Sequence, residues 1–415
     1  MRLTTGIRLS WPELRKFLHQ HLTEHVLPFW FPKLIDQRYG GLNNCVQDDG
    51  TILSTEKYLW SQGRALWVLS KLFNDIDQNP KWLEIADPIA NLLTDYGRTT
   101  EREWYFSLNA DGTPAKEPQS IYVDGFCIYG LTEYAKATGH SKSLDVALEA
   151  YAQASPKLDD HCLVRTMPHP IPTGYQAHGP LMLFAHVFHE LGILSDREDI
   201  KLRSLELAER ILSQHLNPQS GLLHEFVVLG GQKDISDIGQ TSIPGHVVES
   251  MWFLEEIYRY HCKPGKIILL LETIRLHLEL GWDDQFGGLF LATHLREGRP
   301  KWHNPHGKIW WPHTESLQAL LMAYAHTLES WAEDWYWKIH DYSFTHFPNW
   351  DSGEWFHNLD REGKPTNPYL QTLPVKDPFH LPRALIYSIQ ILDKIGEKND
   401  CTCSSKTLAR RQTTC

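Results

Sequence analysis

What this chain most lacks is grouped positive charge. Lys and Arg number 40 against 51 Asp and Glu, a formal net charge of −11 over 415 residues. Binding a phosphate backbone needs clustered Lys and Arg, so a nucleic-acid partner is excluded; the one small basic run is Arg410-Arg411. No run approaches 18 uncharged apolar residues, which argues against a membrane span. Met1 to Trp11 has no apolar core of a secretory signal. The cysteines are few, odd in number (7) and scattered. They form no Cys-x-x-Cys and no paired ligand spacing, which excludes a disulfide framework and a cysteine zinc site and points to a reducing, cytoplasmic setting.

Aromatic residues, by contrast, are plentiful, with 16 each of Trp, Tyr and Phe, and many fall in loop-like segments. Their order reveals a repeat. Gly41-Leu42 to Asp49-Gly50, Trp104-Tyr105 to Asp111-Gly112, Leu222-Leu223 to Gly230-Gly231, Leu289-Phe290 to Glu297-Gly298 and Trp355-Phe356 to Glu362-Gly363 share one plan. Each is an apolar or aromatic pair, a strand-like stretch and a Gly-containing turn. They recur about every 60 residues, with one interval about twice as long, so a degenerate sixth copy is expected near Leu163. Between them, apolar residues recur at helical spacing in Ala65–Phe73, Leu181–Phe188, Val247–Ile257 and Leu317–Tyr324. Two helices and one hairpin per unit, six times over, predict an all-α fold. We read it as an (α/α)6 barrel with short β-hairpins in its connecting loops, with an open solenoid as the alternative. One domain is expected over 1–396, and residues 397–415 read as a polar, disordered tail.

Two strings carry the chemistry: Pro244-Gly245-His246-Val247-Val248-Glu249 and Phe379-His380-Leu381-Pro382-Arg383. Each places a histidine at the expected start of a helix, where the dipole disfavours imidazolium and favours a neutral base near pH 7. Glu249 and Arg383 each follow their histidine by three residues, on the same helical face. A bland reading makes such histidines ordinary residues near a helix end, since the chain has 23 of them.

Taken with Gly40-Gly41-Leu42, Thr55–Arg64 (Thr-Glu-Lys-Tyr-Leu-Trp-Ser-Gln-Gly-Arg) and Ile309-Trp310-Trp311-Pro312-His313-Thr314-Glu315, these strings resemble the N-acylglucosamine 2-epimerase family from about Trp11 to Ile395. The resemblance implies interconversion of N-acetylglucosamine and N-acetylmannosamine through removal and return of the C2 proton of the ring-opened sugar. It assigns His246 and His380 as the two acid/base groups and places Arg64 beside the C1 oxygen, where a guanidinium would stabilise an enediolate. Glu249, Glu315, Arg383, Trp60 and Trp311 are the expected substrate-binding residues; Trp67 and Trp310 are weaker candidates that core packing explains equally well. No cofactor or metal is required, and some members are activated by ATP. The sequence has no Gly-x-x-x-x-Gly-Lys loop to support or exclude that. A homodimer is a further expectation.

Two departures bear on the sugar. Leu373-Pro374-Val375-Lys376-Asp377-Pro378 replaces the Gly- and Lys-rich run of typical members. The histidine that cellobiose 2-epimerases and mannose isomerases carry near Leu181 to Phe184 is missing, with His178 and His186 falling on either side; its absence favours an N-acyl sugar. The alternatives are a mannose or disaccharide 2-epimerase or an aldose–ketose isomerase, and, further off, a glycoside hydrolase using Asp124, Glu249 and Glu315 or a non-catalytic binding protein. His303, His306 and His313 invite a metal reading that the proton-transfer chemistry does not need.

Overall fold

The computed structural model describes residues 8–230, 232, 234–366 and 375–411, with side chains through residue 397. Within them lie twelve helices. They are α1 (11–30, with a π turn His21–Val26), α2 (Leu59–Asp75), α3 (Pro80–Tyr96), α4 (Ile121–Thr138), α5 (Ser141–Lys157), α6 (His178–Leu194), α7 (198–215, ending in a π turn), α8 (Pro244–Tyr260), α9 (Pro264–Gly281), α10 (Trp310–Thr327), α11 (Ser330–His346) and α12 (His380–Arg411).

Sequence sorts these helices into two rings. In α5 only Ser143, Val146, Ala147, Ala150 and Ala154 are buried, one stripe at three and four spacing, as befits a helix with one face in solvent. In α4 burial is nearly continuous from Val123 to Ala135, as befits a helix covered all round. The even-numbered helices are of this second kind, and each packs on the next, α2 on α4 and so on to α12, which returns to α2. The odd-numbered helices back them, with α1 against α12. The result is the expected (α/α)6 barrel, closed rather than an open solenoid. All four apolar patterns read from the sequence belong to the inner ring.

The inner helices α2 and α4 approach through glycine. A Cβ on Gly63 would lie 2.3 Å from the Phe126 carbonyl oxygen, and one on Gly130 2.3 Å from that of Gly63. Only glycine admits backbones this close.

The repeat residues prove to be the joints of the barrel. Leu42, Trp104, Leu223, Leu289 and Trp355 each bridge back to the end of an outer helix, through Ile35, Arg98, Leu216, Trp282 and Pro348. All five are buried to 2% exposure or less. Asp36, Asn217 and Asp283 cap the intervening turns, each accepting a backbone N–H two residues ahead at 2.9–3.0 Å. The Gly turns that follow carry φ of 85°, 86°, 91° and 86° at Gly50, Gly112, Gly230 and Gly363, a conformation that favours glycine. The four hairpins after the first then pair with the residues leading into the preceding inner helix: Lys57-Tyr58 with Ser107-Leu108, Tyr175–Ala177 with Phe226–Val228, Thr241-Ser242 with Thr293-His294, and Lys308-Ile309 with Asn358-Leu359. These short sheets therefore rim the mouth at the N-termini of the inner ring. The degenerate copy near Leu163 forms no strand; the Ile121 N–H donates to the Arg165 carbonyl (2.8 Å) in the equivalent place. Helix α12 continues to Arg411, so the segment expected as a tail is helical that far, and residues 412–415 lie outside the described residues. No helix of the described residues is long and apolar enough to cross a membrane.

Candidate active site

The mouth opens into a cavity of about 390 Å³, within the roughly 300–1,000 Å³ range of small-molecule sites. The N-terminal parts of the inner helices supply its floor: Trp60 and Arg64 from α2, Phe126 from α4, Met182 and Leu183 from α6, His246, Glu249 and Phe253 from α8, Trp310 and Trp311 from α10, and His380 from α12. Hairpins and loops supply its walls, including Glu225, His169, Trp302, His303, His357 and Asp377.

Trp311 stands between the two histidines, its ring centroid 5.1 Å from His246 and 5.7 Å from His380. Each imidazole is held by its own carboxylate. His246 Nδ1 donates to Glu225 Oε2 at 3.1 Å, and His380 Nδ1 to Glu315 Oε1 at 2.8 Å. Their proton affinities diverge. Burial lowers the pKa of His246, but the charge and hydrogen bond of Glu225, joined by Glu249, outweigh it, so the pKa is raised above the ordinary 6.5. At His380 burial dominates; Arg64 and Arg383 oppose the pull of Glu249, and the pKa falls well below 6.5. The sequence expectation of a neutral base therefore fits His380, whereas at His246 the facing carboxylate overrides the helix dipole.

Arg64 extends over the Phe126 ring (4.0 Å) and donates to Asp377 Oδ2 at 3.0 Å, which Ser61 Oγ also reaches at 3.0 Å. One face of the guanidinium is thus fixed, and its charge faces the cavity beside His380. Trp310 stacks on His357 at 3.6 Å.

Glu315 and Arg383 do not line the cavity, contrary to their expected contact with substrate. Both are fully buried behind His380. Arg383 Nη2 donates to Glu315 Oε1 at 2.8 Å and to Glu249, and lies 3.4 Å from His380 Nδ1; Trp252 Nε1 donates to the other oxygen of Glu315 at 2.9 Å. Glu249, Glu315 and His380 bring ligand atoms within 4.8 Å of one another, but the guanidinium already bonds both carboxylates there. Asp124 lies off the cavity, buried against Lys157 at 3.7 Å. Trp67 is core, stacked on Tyr129 at 5.0 Å. His313 is core as well: its Nδ1 donates to the Ile309 carbonyl (2.7 Å) and its Nε2 accepts the Leu289 N–H (2.9 Å), so it does not join His303 and His306. Glu225, Asp377 and His357 went unassigned in the sequence reading. Their partners are 21, 313 and 47 residues away, and nothing local marks them. Within the altered run before His380, Val375 and Asp377 line the cavity, while Leu373 and Pro374 lie outside the described residues.

Aromatic faces and two histidines of opposite proton affinity line one cavity of an (α/α)6 barrel, an arrangement suited to proton transfer on a carbohydrate, as in a sugar isomerase. The chain belongs to the N-acylglucosamine 2-epimerase family, whose sequence model matches residues 40–381. It is accordingly a carbohydrate 2-epimerase. It is 29% identical to N-acylglucosamine 2-epimerase of Bos taurus over 389 residues, 90% of each chain. It is 24% identical to cellobiose 2-epimerase of Dictyoglomus turgidum over 398 residues, 88% of this chain and 96% of that one. The solved structure of cellobiose 2-epimerase from Bacillus thermoamylovorans superposes with a TM-score of 0.80 at 20% identity, covering 91% of this chain and 99% of that one, a likeness of fold.

Proposed function

We propose that the protein interconverts N-acetylglucosamine and N-acetylmannosamine by proton exchange at C2, with His380 and His246 on opposite faces of the open-chain sugar. Inversion requires a proton to leave one face of C2 and another to arrive on the other. Neutral His380 takes the C2 proton, and the C–H electron pair moves into a C1–C2 double bond as negative charge collects on the C1 oxygen. Arg64 stabilises that enolate, and protonated His246 returns a proton to the opposite face as the C1 carbonyl reforms. The reverse reaction uses the opposite protonation states. Each acid/base group contributes on the order of 10²- to 10⁴-fold, and a preorganised charge at the developing oxyanion about 10²- to 10³-fold. Glu315 and Arg383 act through His380 rather than on the sugar.

The observation that carries this reading is the pair of separately held histidines with opposed proton affinities in one cavity. The N-acyl substrate rests on the greater identity to N-acylglucosamine 2-epimerases. It is also supported by Met182 and Leu183, whose apolar side chains face the cavity where an acetyl methyl needs cover. A hydrolase reading loses its carboxylate pair, because Glu249 and Glu315 share one guanidinium.

Proton NMR in D2O tests it, with N-acetylmannosamine, N-acetylglucosamine, mannose and cellobiose supplied separately, with and without ATP. Loss of the C2–H signal together with appearance of the epimer is expected for the two N-acetylhexosamines. Exchange confined to mannose or cellobiose would move the enzyme to the unsubstituted-sugar branch, and silence from all four with folded protein would sink the proposal.

A further inference from the structure

Away from the mouth, towards the C-terminal ends of α6 and α8, the barrel holds a second group of ionisable side chains that the proton-transfer chemistry does not use. His186 and Glu190 lie one helical turn apart on α6, and Glu256 faces them from α8. Their ligand atoms all lie within 4.8 Å of one another, with His186 Nδ1 and Glu256 Oε2 3.5 Å apart. His186 is fully buried. Neither its Nδ1 nor Glu256 Oε2 has a hydrogen-bond partner, although neither atom reaches solvent. A buried acceptor left unsatisfied costs about 1–3 kcal/mol, more for a charged group, so such a pair calls for an occupant.

The surroundings say which kind. Neither Glu190 nor Glu256 comes within ion-pair distance of a lysine or arginine among the described residues; the charge of Lys71, on α2, acts on both from farther off while its ammonium is bonded to Asp75 at 2.6 Å and lies 3.9 Å from Glu133. The contrast with Glu249, Glu315 and His380 is direct, because there Arg383 already supplies the cation. The His186 ring is also oriented as a ligand ring needs to be. It stacks on Phe253 at 4.1 Å with 6° between planes, and its Nε2 lies 2.9 Å from the Tyr129 hydroxyl. Tyr387 neighbours the Tyr129 hydroxyl and can accept its proton in a hydrogen bond. With the Tyr129 proton directed to Tyr387, His186 Nε2–H donates to the Tyr129 oxygen, which leaves the Nδ1 lone pair aimed at the two carboxylates. A hydrogen bond on the far nitrogen is the arrangement that fixes the tautomer of metal-bound histidines.

We propose that His186, Glu190 and Glu256 form a binding site for a divalent transition-metal ion of the zinc type, clasping α6 to α8. One imidazole and two carboxylates suit zinc better than magnesium or calcium, which prefer all-oxygen shells. Glu256, whose carboxyl burial and the neighbouring Glu190 push up to about 8, releases its proton as the ion binds, and the two carboxylates then balance the charge of a divalent ion. The Glu256 side chain is 22% exposed, so the cluster is not sealed from solvent.

Zinc chloride titrated calorimetrically into chelator-treated full-length protein, with thermal melting in parallel, tests the proposal. The native protein should bind one zinc that Glu256→Gln and Glu190→Gln each fail to bind, and zinc should raise the melting temperature of the native protein alone. His303→Ala, altered at the cavity mouth, should keep that zinc. Both glutamine variants preserve side-chain shape, and either one suffices if the other misfolds. Equal zinc uptake and equal melting response in native protein and the glutamine variants would place the ion on other histidines and overturn the proposal, as would no zinc binding by the native protein.

Discussion

Glu225 and Glu315 each stand behind one histidine, yet the imidazoles differ because of what stands behind the carboxylates. Arg383 bonds Glu315 and Glu249, so His380 faces an acid already neutralised by a guanidinium, and burial decides its proton affinity. Behind Glu225 lies His178, 3.8 Å away, whose own pKa burial lowers, so the carboxylate's charge is left to His246. The resting enzyme thus holds His380 neutral and His246 protonated in a pH window that opens below 6.5 and closes above it. With His380 as base and His246 as acid, as proposed, the acid limb of kcat/KM should follow protonation of His380 and the basic limb loss of the proton from His246. Glu225→Gln removes the group that raises His246, so the basic limb should move to lower pH while the acid limb stays. A pH profile with both limbs unmoved would show that His246 does not act as the acid. Replacing either histidine by alanine should lower epimerisation on the order of 10²- to 10⁴-fold with the melting temperature little changed. Arg64→Ala should lower kcat about 10²- to 10³-fold; a rise in KM alone would reassign it to ground-state binding. At this scale the sequence picks out His246, His380 and Arg64, which the structure brings to one cavity, because each sits in a contiguous string near the head of an inner helix. It misjudged Glu315 and Arg383, because spacing along a helix does not say which residue faces the cavity and which faces the neighbouring helix.

The inner helices are legible for the opposite reason. Apolar residues at three and four spacing, filled in to near-continuous runs where the chain is covered on all sides, mark them, and the paired apolar residues of each hairpin mark the joints between rings. Burying each such side chain contributes about 1.5–3 kcal/mol, which is why Trp104, Leu223 and Trp355 stand out in a loop-like context. What periodicity cannot disclose is how closely two helices approach. Gly63 reads as an unremarkable residue of the Trp-x-Gln-Gly-Arg string, yet it lets α2 touch α4 one position before Arg64. Gly63→Ala would press a methyl into the Phe126 carbonyl and force the helices apart, at a cost of about 1–3 kcal/mol. Because Phe126 also supports the Arg64 guanidinium, kcat should fall together with stability. Chemical denaturation beside steady-state kinetics would show it, and a variant with native stability and kcat would mean that the ring flexes enough to absorb the methyl.

A closed ring has a seam where its last unit meets its first, and here the seam lies beside the chemistry. The Lys376 N–H donates to the Asn44 carbonyl at 2.9 Å, and its ammonium reaches Asp48 at 2.8 Å and the Trp355 carbonyl at 2.7 Å. One residue thus ties the sixth hairpin to the first. The Asn44 side chain accepts in turn from the Tyr58 N–H and from Gln62, at the head of α2. Asp377, the next residue along, holds Arg64. Closure and positioning of the Arg64 charge therefore depend on the same few atoms, contributed by residues more than 300 positions apart in sequence. That dependence is invisible in the repeat, which discloses six units but not how the first and last recognise each other. Lys376→Met keeps the aliphatic stem and removes the ammonium, leaving the Trp355 carbonyl without that donor and Asp48 without its cation. Since Asp48 is partly exposed, the loss should be about 1–3 kcal/mol, seen as a fall of a few degrees in melting temperature. The same variant should lower kcat more than it raises KM, because Asp377 is no longer anchored from behind. If the melting temperature falls while kcat holds, Arg64 is placed by Phe126 and by an Asp377 that Ser61 holds without help from Lys376, and the seam serves only to close the ring.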